Sequence, residues 1–238
     1  MKNKFMPKTN KKKIYHKLIN NELIYDNKSI NRYKKINKSH QNNSRLSELE
    51  KLRLKISSIK NCDLKDNATN LVFSDGSPFA KIMIIGEGPG ANEDKEGKPF
   101  VGRAGKLLDK MLASIKLNRQ NVYISNVVNF RPPLNRRPTD EEINRYLPFL
   151  NKHIEIINPK ILLLLGSTAL NALIGSKEVI SKARGKWIQQ KIGNSKPEVI
   201  ASFHPAFLMR QPDQKKFAWE DLKMIRKKIS ELNIKLNG

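Results

Sequence analysis

The sequence has little of several features that define other classes of protein. It contains one cysteine, Cys62, which excludes a disulfide within the chain and a metal site of four thiolates. No apolar run approaches the roughly 18 residues of a membrane-spanning helix. The basic N-terminus has no apolar stretch of signal-peptide type. For a chain of 238 residues, we therefore expect a soluble, cytoplasmic, monomeric protein with one sizeable domain and no membrane partner.

Acidic residues are scarce beside basic ones. The chain has 46 Lys and Arg against 22 Asp and Glu, a net charge of +24. Residues 1–45 hold 13 basic and 2 acidic side chains, and the remainder is basic as well. This excess favours a polyanion such as nucleic acid, because neutralising phosphates releases counterions. A simple bias toward lysine and asparagine is the alternative for the tail.

The first 45 residues lack a sustained hydrophobic period. We therefore predict a basic, disordered extension over residues 1–45 and a folded domain over 46–238. The spacing of Leu49, Leu52 and Ile56 predicts a short amphipathic helix from Ser47, at the start of the domain.

Four short apolar runs alternate with helical patterns in the rest of the chain. Such runs are typical of parallel strands buried on both faces, and Thr139 with Glu142 forms a helix-capping signature. The fold class predicted is α/β, a three-layer α/β/α sandwich with a central four-stranded parallel sheet. The strands lie at 80–86, 121–128, 159–166 and 197–203, and the helices at about 103–116, 139–157, 167–174 and 213–233.

The ends of these strands carry polar or glycine-rich segments. Six of the twelve glycines fall within residues 86–105, directly after the first strand. Asn126 lies near the end of the second strand, Gly166 and Ser167 end the third, and His204 follows the fourth. Ligands bind beyond the carboxyl ends of parallel strands, so we expect these groups to converge on one site.

A dinucleotide-binding loop is one alternative for the first strand end. Gly86, Gly88 and Ala91 fit the pattern G-x-G-x-x-G/A. Two features oppose it: residues 92–96 favour a loop over a helix start, and no second strand ends in an acid about 20 residues later.

Three segments together resemble a known family. GEGPGANEDKEGKPFVGRAGKLLDKML, VYISNVVNFRPPLNRRPTDEEI and HPAFLMR resemble, in order, the motifs of the family 4 uracil-DNA glycosylases. The likeness extends from Ser58 to Ile225. It implies a substrate of uracil-containing DNA, from which the base is flipped into a fitted pocket.

The resemblance also implies roles for single residues. Phe100 is the aromatic ring on which uracil stacks, and the Asn126 amide matches the N3–H and O4 of uracil but not cytosine. Glu87 is the candidate for holding or activating water at the sugar C1′, and His204 for stabilising charge on the departing base. Glu87, Asn126 and His204 are thus the expected catalytic residues, and the expected uracil-binding set is Gly86, Glu87, Gly88, Pro89, Gly90, Phe100, Asn126 and His204.

Other matched positions are expected to hold the DNA. The proline-stiffened loop bearing Arg131, Arg136 and Arg137 is assigned to the DNA backbone, with a solvated charged turn as the alternative. Leu208 matches the apolar wedge of the family and Arg210 a phosphate contact; core packing is the alternative for Leu208. The cross-linking branch of the superfamily has a basic insertion ending in histidine, which this chain lacks, so we expect an enzyme that turns over.

The chain departs from the family in its cysteines. The resembling family holds a [4Fe–4S] cluster on four cysteines, whose places here are taken by Ile59, Cys62, Phe130 and Tyr146. One thiolate does not replace four. We therefore expect no metal or organic cofactor, with an apolar plug in the vacated volume. The function predicted is uracil excision that leaves an abasic site, and the alternative is an inactive DNA-binding module on the same scaffold.

Overall fold

The computed structural model describes residues 32–175 and 179–236, with side chains from residue 42 onward. Contacts divide the chain into Met1–His40 and Gln41–Gly238; apart from the first residues of helix α1, the following description concerns the second unit. The helices are α1 (Arg32–Ser57), α2 (Asp63–Asp66), α3 (Ala91–Glu96), α4 (Arg103–Ser114), α5 (Asp140–Ile157), α6 (Ser167–Ile174), α7 (Ile180–Ala183), α8 (Pro205–Arg210) and α9 (Lys215–Glu231). The strands are β1 (Asp75–Gly76), β2 (Ile82–Gly86), β3 (Val122–Asn126), β4 (Ile161–Leu165), β5 (Trp187–Gln189) and β6 (Glu198–Ser202).

The sheet has six strands in the order β1-β3-β2-β4-β6-β5. The central four are parallel, and β1 and β5 pair antiparallel at the two edges. The predicted α/β class with four central parallel strands is therefore confirmed. The sequence did not predict the edge strands, since two and three residues are too short to show a period.

Alternate residues of the central strands point to opposite faces of the sheet. Met83 and Ile85 belong to one hydrophobic cluster with α1, α5 and α6. Ile82 and Ile84 belong to a second cluster with α4, α8 and α9. The result is the predicted three-layer sandwich, with strand ends free at one edge to carry a site.

Helix α1 begins earlier than the sequence predicts. It starts at Arg32, not Ser47, and no glycine or proline interrupts its 26 residues. Residues 32–45 are thus helical, in contrast to the predicted disorder. The same prediction for residues 1–31 lies outside the described residues, and the domain boundary at 45/46 stays a prediction.

Residues 91–96 form helix α3, so the loop predicted there is wrong. The carboxylate of Glu93 accepts a hydrogen bond from the Gly90 N–H at 3.2 Å, and Gly97 ends the helix in a left-handed conformation. The N-cap residue is glycine, whereas the usual sequence signal for the start of a helix is Ser, Thr, Asp or Asn, so the sequence does not indicate this helix. The dinucleotide alternative is still opposed by β3, which ends in Asn126 where an acid is required.

Candidate active site

The carboxyl ends of three parallel strands open into one cleft. Gly86 at the end of β2 pairs in register with Asn126 at the end of β3, and His204 follows β6. The cleft has a volume of about 180 Å³. Its lining residues are Glu87, Gly88, Pro89, Gly90, Glu93, Phe100, Ala104, Asn126, Pro132, Asn135, Arg136, Pro138, His204 and Ala206. The residues expected to bind a base thus share one cavity, except Gly86, which precedes the lining residue Glu87.

Gly86 allows two side chains to meet above the strand end. A Cβ added there would lie 2.5 Å from Cζ of Phe100 and 2.5 Å from Oδ1 of Asn126. The Phe100 ring is 5% exposed, and its centroid lies 5.5 Å from that of His204. Glycine is therefore required at this position by close approach, since any side chain would displace the ring or the amide.

The backbone of Phe100 is held in an unusual conformation. Its φ is 55°, in the left-handed region that bulky residues rarely occupy. The Arg119 guanidinium donates to the carbonyl oxygens of Phe100 and Pro99 and forms ion pairs with Asp75 (2.6 Å) and Asp109 (2.9 Å). Arg119 was not identified from the sequence, because a single loop arginine carries no local signal for a contact of this kind.

Asn126 is the buried polar residue most clearly suited to a ligand. Its side chain is 3% exposed, and among the described residues its Oδ1 alone is a buried side-chain oxygen or nitrogen without a hydrogen-bond partner. A buried acceptor without a donor costs free energy, so a ligand donor at this position would be stabilising. An N–H such as that of a pyrimidine N3 meets this requirement.

Glu87 lies at the mouth of the cleft with its carboxylate held in place. The hydroxyl of Thr168, which is 1% exposed near the start of α6, donates to Oε2 of Glu87. Thr168 was not singled out in the sequence, since its role depends on a contact between distant segments. Glu87 also lines a neighbouring groove of about 440 Å³ that extends to Ser167 and Arg210.

His204 caps the N-terminus of α8. Its Nδ1 accepts a hydrogen bond from the Ala206 N–H at 3.2 Å. Burial, with a smaller contribution from the positive charge of Arg210, lowers the pKa of His204 to about 4. The imidazole is therefore neutral at physiological pH, and its single proton resides on Nε2, which makes that nitrogen a donor.

Glu93 links the N-cap glycines of helices α3 and α4, Gly90 and Gly102. Besides the Gly90 N–H, its carboxylate accepts from the Gly102 N–H at 2.8 Å. The sequence did not reveal this residue because the segment was interpreted as a loop.

Of the four arginines expected to hold DNA, one lines the cleft, one lines the neighbouring groove, and two lie on the loop whose residues 132, 135 and 138 line the cleft. Arg136 lines the cleft and is paired with Glu142 at 2.6 Å, and the Nε of Arg131 donates to Oδ1 of Asn135 at 2.8 Å. Arg137 is exposed, and so is Arg210, which lines the neighbouring groove.

Leu208 does not occupy the position expected of a wedge. It is 1% exposed and packs in the hydrophobic cluster beneath α8. In the six-residue helix α8 this side chain faces the protein, so the core-packing alternative describes the structure and the wedge prediction is corrected.

The four positions that correspond to cluster ligands form a packed contact between segments. Cys62, Phe130 and Tyr146 are all buried within one hydrophobic cluster, against which Ile59 packs. Sγ of Cys62 lies 3.4 Å from the hydroxyl oxygen of Tyr146. Burial raises the pKa of Tyr146, so its hydroxyl stays protonated. Iron–sulfur clusters require several thiolates, so a donor set of one thiol and one phenol does not fit the group. Within the described ranges no three His, Cys, Asp or Glu side chains gather as metal ligands.

The fold and the cleft define an α/β protein with a binding site at the carboxyl ends of its parallel strands. The uracil DNA glycosylase superfamily model matches residues 73–223. A type-4 uracil-DNA glycosylase of Thermotoga maritima is 48% identical over 150 residues, covering 63% of this chain and 77% of the relative. Those of Sulfurisphaera tokodaii and Archaeoglobus fulgidus are 42% and 39% identical, covering 76% and 79% of this chain and 84% and 94% of the relatives. The chain belongs to the type-4 family of the uracil-DNA glycosylase superfamily.

No helix in the described part of the chain has the length and apolar character needed to cross a membrane.

Proposed function

We propose that this protein excises uracil from DNA by hydrolysing the bond between N1 of the base and C1′ of its deoxyribose. The products are free uracil and an abasic site. The observation that carries the proposal is the unpartnered Oδ1 of Asn126, a residue that lines the same cleft as Phe100. Family membership and the names of the relatives support the same reaction.

Recognition of the base rests on three contacts. The flipped uracil stacks on Phe100, which is held by Arg119, and such stacking is worth about 1–3 kcal/mol. Oδ1 of Asn126 accepts from N3–H, and the amide Nδ2 donates to O4. Cytosine has no N3–H and presents an amino group at position 4, so both contacts would fail.

Bond cleavage is assigned to the two groups on either side of the base. As the glycosidic bond breaks, electrons move onto the base and charge develops on its O2, to which neutral His204 donates from Nε2. The sugar becomes oxocarbenium-like, and Glu87, fixed by Thr168, holds the water that adds to C1′. The proton that this water loses neutralises the uracil anion. The backbone of Gly86, Gly88 and Gly90, together with Pro89, is proposed to form one wall of the uracil site.

DNA contact is assigned to the basic groups at the cleft mouth. Arg131, Arg136 and Arg137 contact phosphates from the proline-arginine loop, and Arg210 contacts them from the end of α8. The basic segment of residues 1–45 adds affinity that does not depend on sequence. We also propose that the protein acts as a monomer in the cytoplasm.

The protein is proposed to act without an iron–sulfur cluster. The support is the donor set: one thiol in 238 residues, with Tyr146 and Phe130 packed where further thiolates would be required. Anaerobically purified protein should contain no more than trace iron and sulfide. Stoichiometric amounts of both would contradict this part of the proposal.

The function is tested by uracil release from an oligonucleotide with a single U, using Asn126→Ala and a matched control, Asn129→Ala. Asn129 is also buried, at 4% exposed, but its Nδ2 donates to the Val72 carbonyl at 3.0 Å. We expect Asn126→Ala to slow release by roughly 10²-fold, the cost of removing one preorganised polar contact. Asn129→Ala should lower stability and keep release per folded molecule. Wild-type protein that binds the oligonucleotide and forms no abasic sites would establish the inactive-module alternative.

A further inference from the structure

The tip of the proline-arginine loop carries an apolar side chain in full contact with solvent. Leu134 is 95% exposed, whereas the next most exposed large hydrophobic side chain in the described part of the chain, Val179, is 59% exposed. Single exposed hydrophobic residues are common on protein surfaces, so exposure alone assigns nothing to Leu134.

The backbone of Leu134 supplies the second observation. Its φ is 54°, and that of Asn135 is 55°, two successive residues in the left-handed region. A bulky side chain at such a position is an outlier that glycine would relieve, and outliers of this kind concentrate where a site requires them. Here the unusual turn presents the leucine outward.

The loop that holds Leu134 is anchored at its base. Arg136 donates to both carboxylate oxygens of Glu142, at 2.8 and 2.6 Å, and Glu142 also caps α5 by accepting from the Thr139 N–H at 2.8 Å. Arg131 bonds to Asn135 across the turn at 2.8 Å. The tip is therefore a stiff projection, which reduces the entropy lost when it meets a partner.

The position of the loop relates Leu134 to the extruded base. Its neighbours Pro132 and Asn135 line the base-binding cleft. A nucleotide that leaves the duplex leaves a gap in the stack beside the cleft, and apolar side chains commonly fill such gaps. Leu208, which matches the family wedge, is buried in the core and would have to leave it to act.

We propose that Leu134 is the side chain that enters the DNA base stack when the target nucleotide is flipped. The proposal rests on the proposed function for the extrusion of a nucleotide into the cleft, whereas the location of the loop beside the cleft is observed. Its partner is duplex DNA, in which the leucine packs against the exposed faces of the neighbouring bases and hinders the return of the extruded one.

The test compares Leu134→Gly with wild-type protein on the same U-containing strand, once in a duplex and once single-stranded. Glycine removes the side chain and relaxes the positive φ, so the variant should unfold no more readily than the wild type. Leu54→Ala, at a residue 56% exposed on α1, is the matched control for loss of an exposed leucine. Leu134→Met, which keeps an apolar side chain of similar size, should restore most of the duplex activity.

We expect Leu134→Gly to slow single-turnover release from the duplex by at least about tenfold, because unstacking a base step costs a few kcal/mol. Release from the single strand, where no gap forms, should change by less than about twofold. Equal slowing on both substrates, or none on either, would overturn the proposal. Fluorescence of 2-aminopurine beside the U reports unstacking without bond cleavage, and Leu134→Gly should reduce its rise on binding. A wild type that unstacks the reporter and releases no uracil would refute the glycosylase function alone.

Discussion

Replacing Gly86 by alanine tests whether the cleft binds the base as proposed. The new Cβ would lie 2.5 Å from both Cζ of Phe100 and Oδ1 of Asn126, about 0.9 Å inside the 3.4 Å at which ordinary contact begins. The backbones of Phe100 and Asn126 are held by Arg119 and by pairing with Gly86, so the added methyl group must displace the Phe100 ring or the Asn126 amide. Overpacking of this kind costs roughly 1–3 kcal/mol of stability.

The effect on catalysis should exceed the effect on stability. A displacement near 1 Å of a group that positions substrate can cost about 10²-fold in rate. We expect Gly86→Ala to lower single-turnover uracil release by about that factor while the folded fraction stays high. Circular dichroism in urea and release from a single-U oligonucleotide measure the two effects separately.

Gly175→Ala is the matched control. Gly175 has φ of 67°, so alanine there is strained, but an added Cβ meets no heavy atom of the described residues within 4 Å. It should cost roughly 1–2 kcal/mol of stability and leave uracil release unchanged. If Gly86→Ala released uracil at the wild-type rate, the shared contact of Phe100 and Asn126 above the strand end would have no part in the reaction.

Three further predictions concern packing, pH and the tail. Tyr146→Ala should lower the free energy of unfolding by about 3–5 kcal/mol, and Tyr146→Phe by less than about 1.5 kcal/mol, because the ring supplies the burial and the hydroxyl only a weak contact. Burial lowers the pKa of His153 to about 3. At pH values between about 3 and the unfolded pKa near 6.5, His153 is protonated in the unfolded chain but neutral in the folded protein. The free energy of unfolding therefore decreases as the pH falls through this range. His153→Phe should make this decrease smaller between pH 5 and 6.5. Deleting residues 1–31, which hold eight lysines, should make the salt dependence of DNA binding shallower and leave the chemical step unchanged.

Each of these has a contrary outcome that is simple to read. A Tyr146→Phe protein as unstable as Tyr146→Ala would make the Cys62 contact, not burial, the source of stability. An unchanged slope of stability against pH in His153→Phe would show that this histidine takes up a proton as readily in the folded protein as in the unfolded chain. An unchanged salt slope after the deletion would remove the tail from the DNA interface.

The sequence predicts the central sheet well for a physical reason. Strands buried on both faces must be apolar throughout, and each such run ends near a glycine or polar residue that marks the sheet edge. The edge strands are too short for this signal, and α3 is hidden by a glycine N-cap. Gly86, Asn126 and His204 follow from the rule for strand ends, whereas Phe100 was found only through the resemblance.

Arg119, Glu93 and Thr168 could not have been found in the same way. Each acts through a partner distant in sequence: Arg119 on the Phe100 carbonyl, Thr168 on Glu87, and Glu93 on two backbone amides. Such contacts depend on the fold and leave no local period or spacing. Burial of Leu208 is likewise set by the packing of α8.

The positions that correspond to cluster ligands lie on the opposite side of the sheet from Phe100. Cys62, Phe130 and Tyr146 pack on the α1 and α5 side of the sheet, whereas Phe100 packs on the α4 and α9 side. The segment from Asn126 to Phe130 joins this side to the cleft, because Phe130 packs in the cluster and Asn126 lines the cleft. In Tyr146→Ala, a loss of uracil release should therefore come with weaker discrimination of uracil from cytosine, because Asn126 moves before Phe100 does. Slower release with discrimination intact would show that the disturbance reaches the cleft by another route.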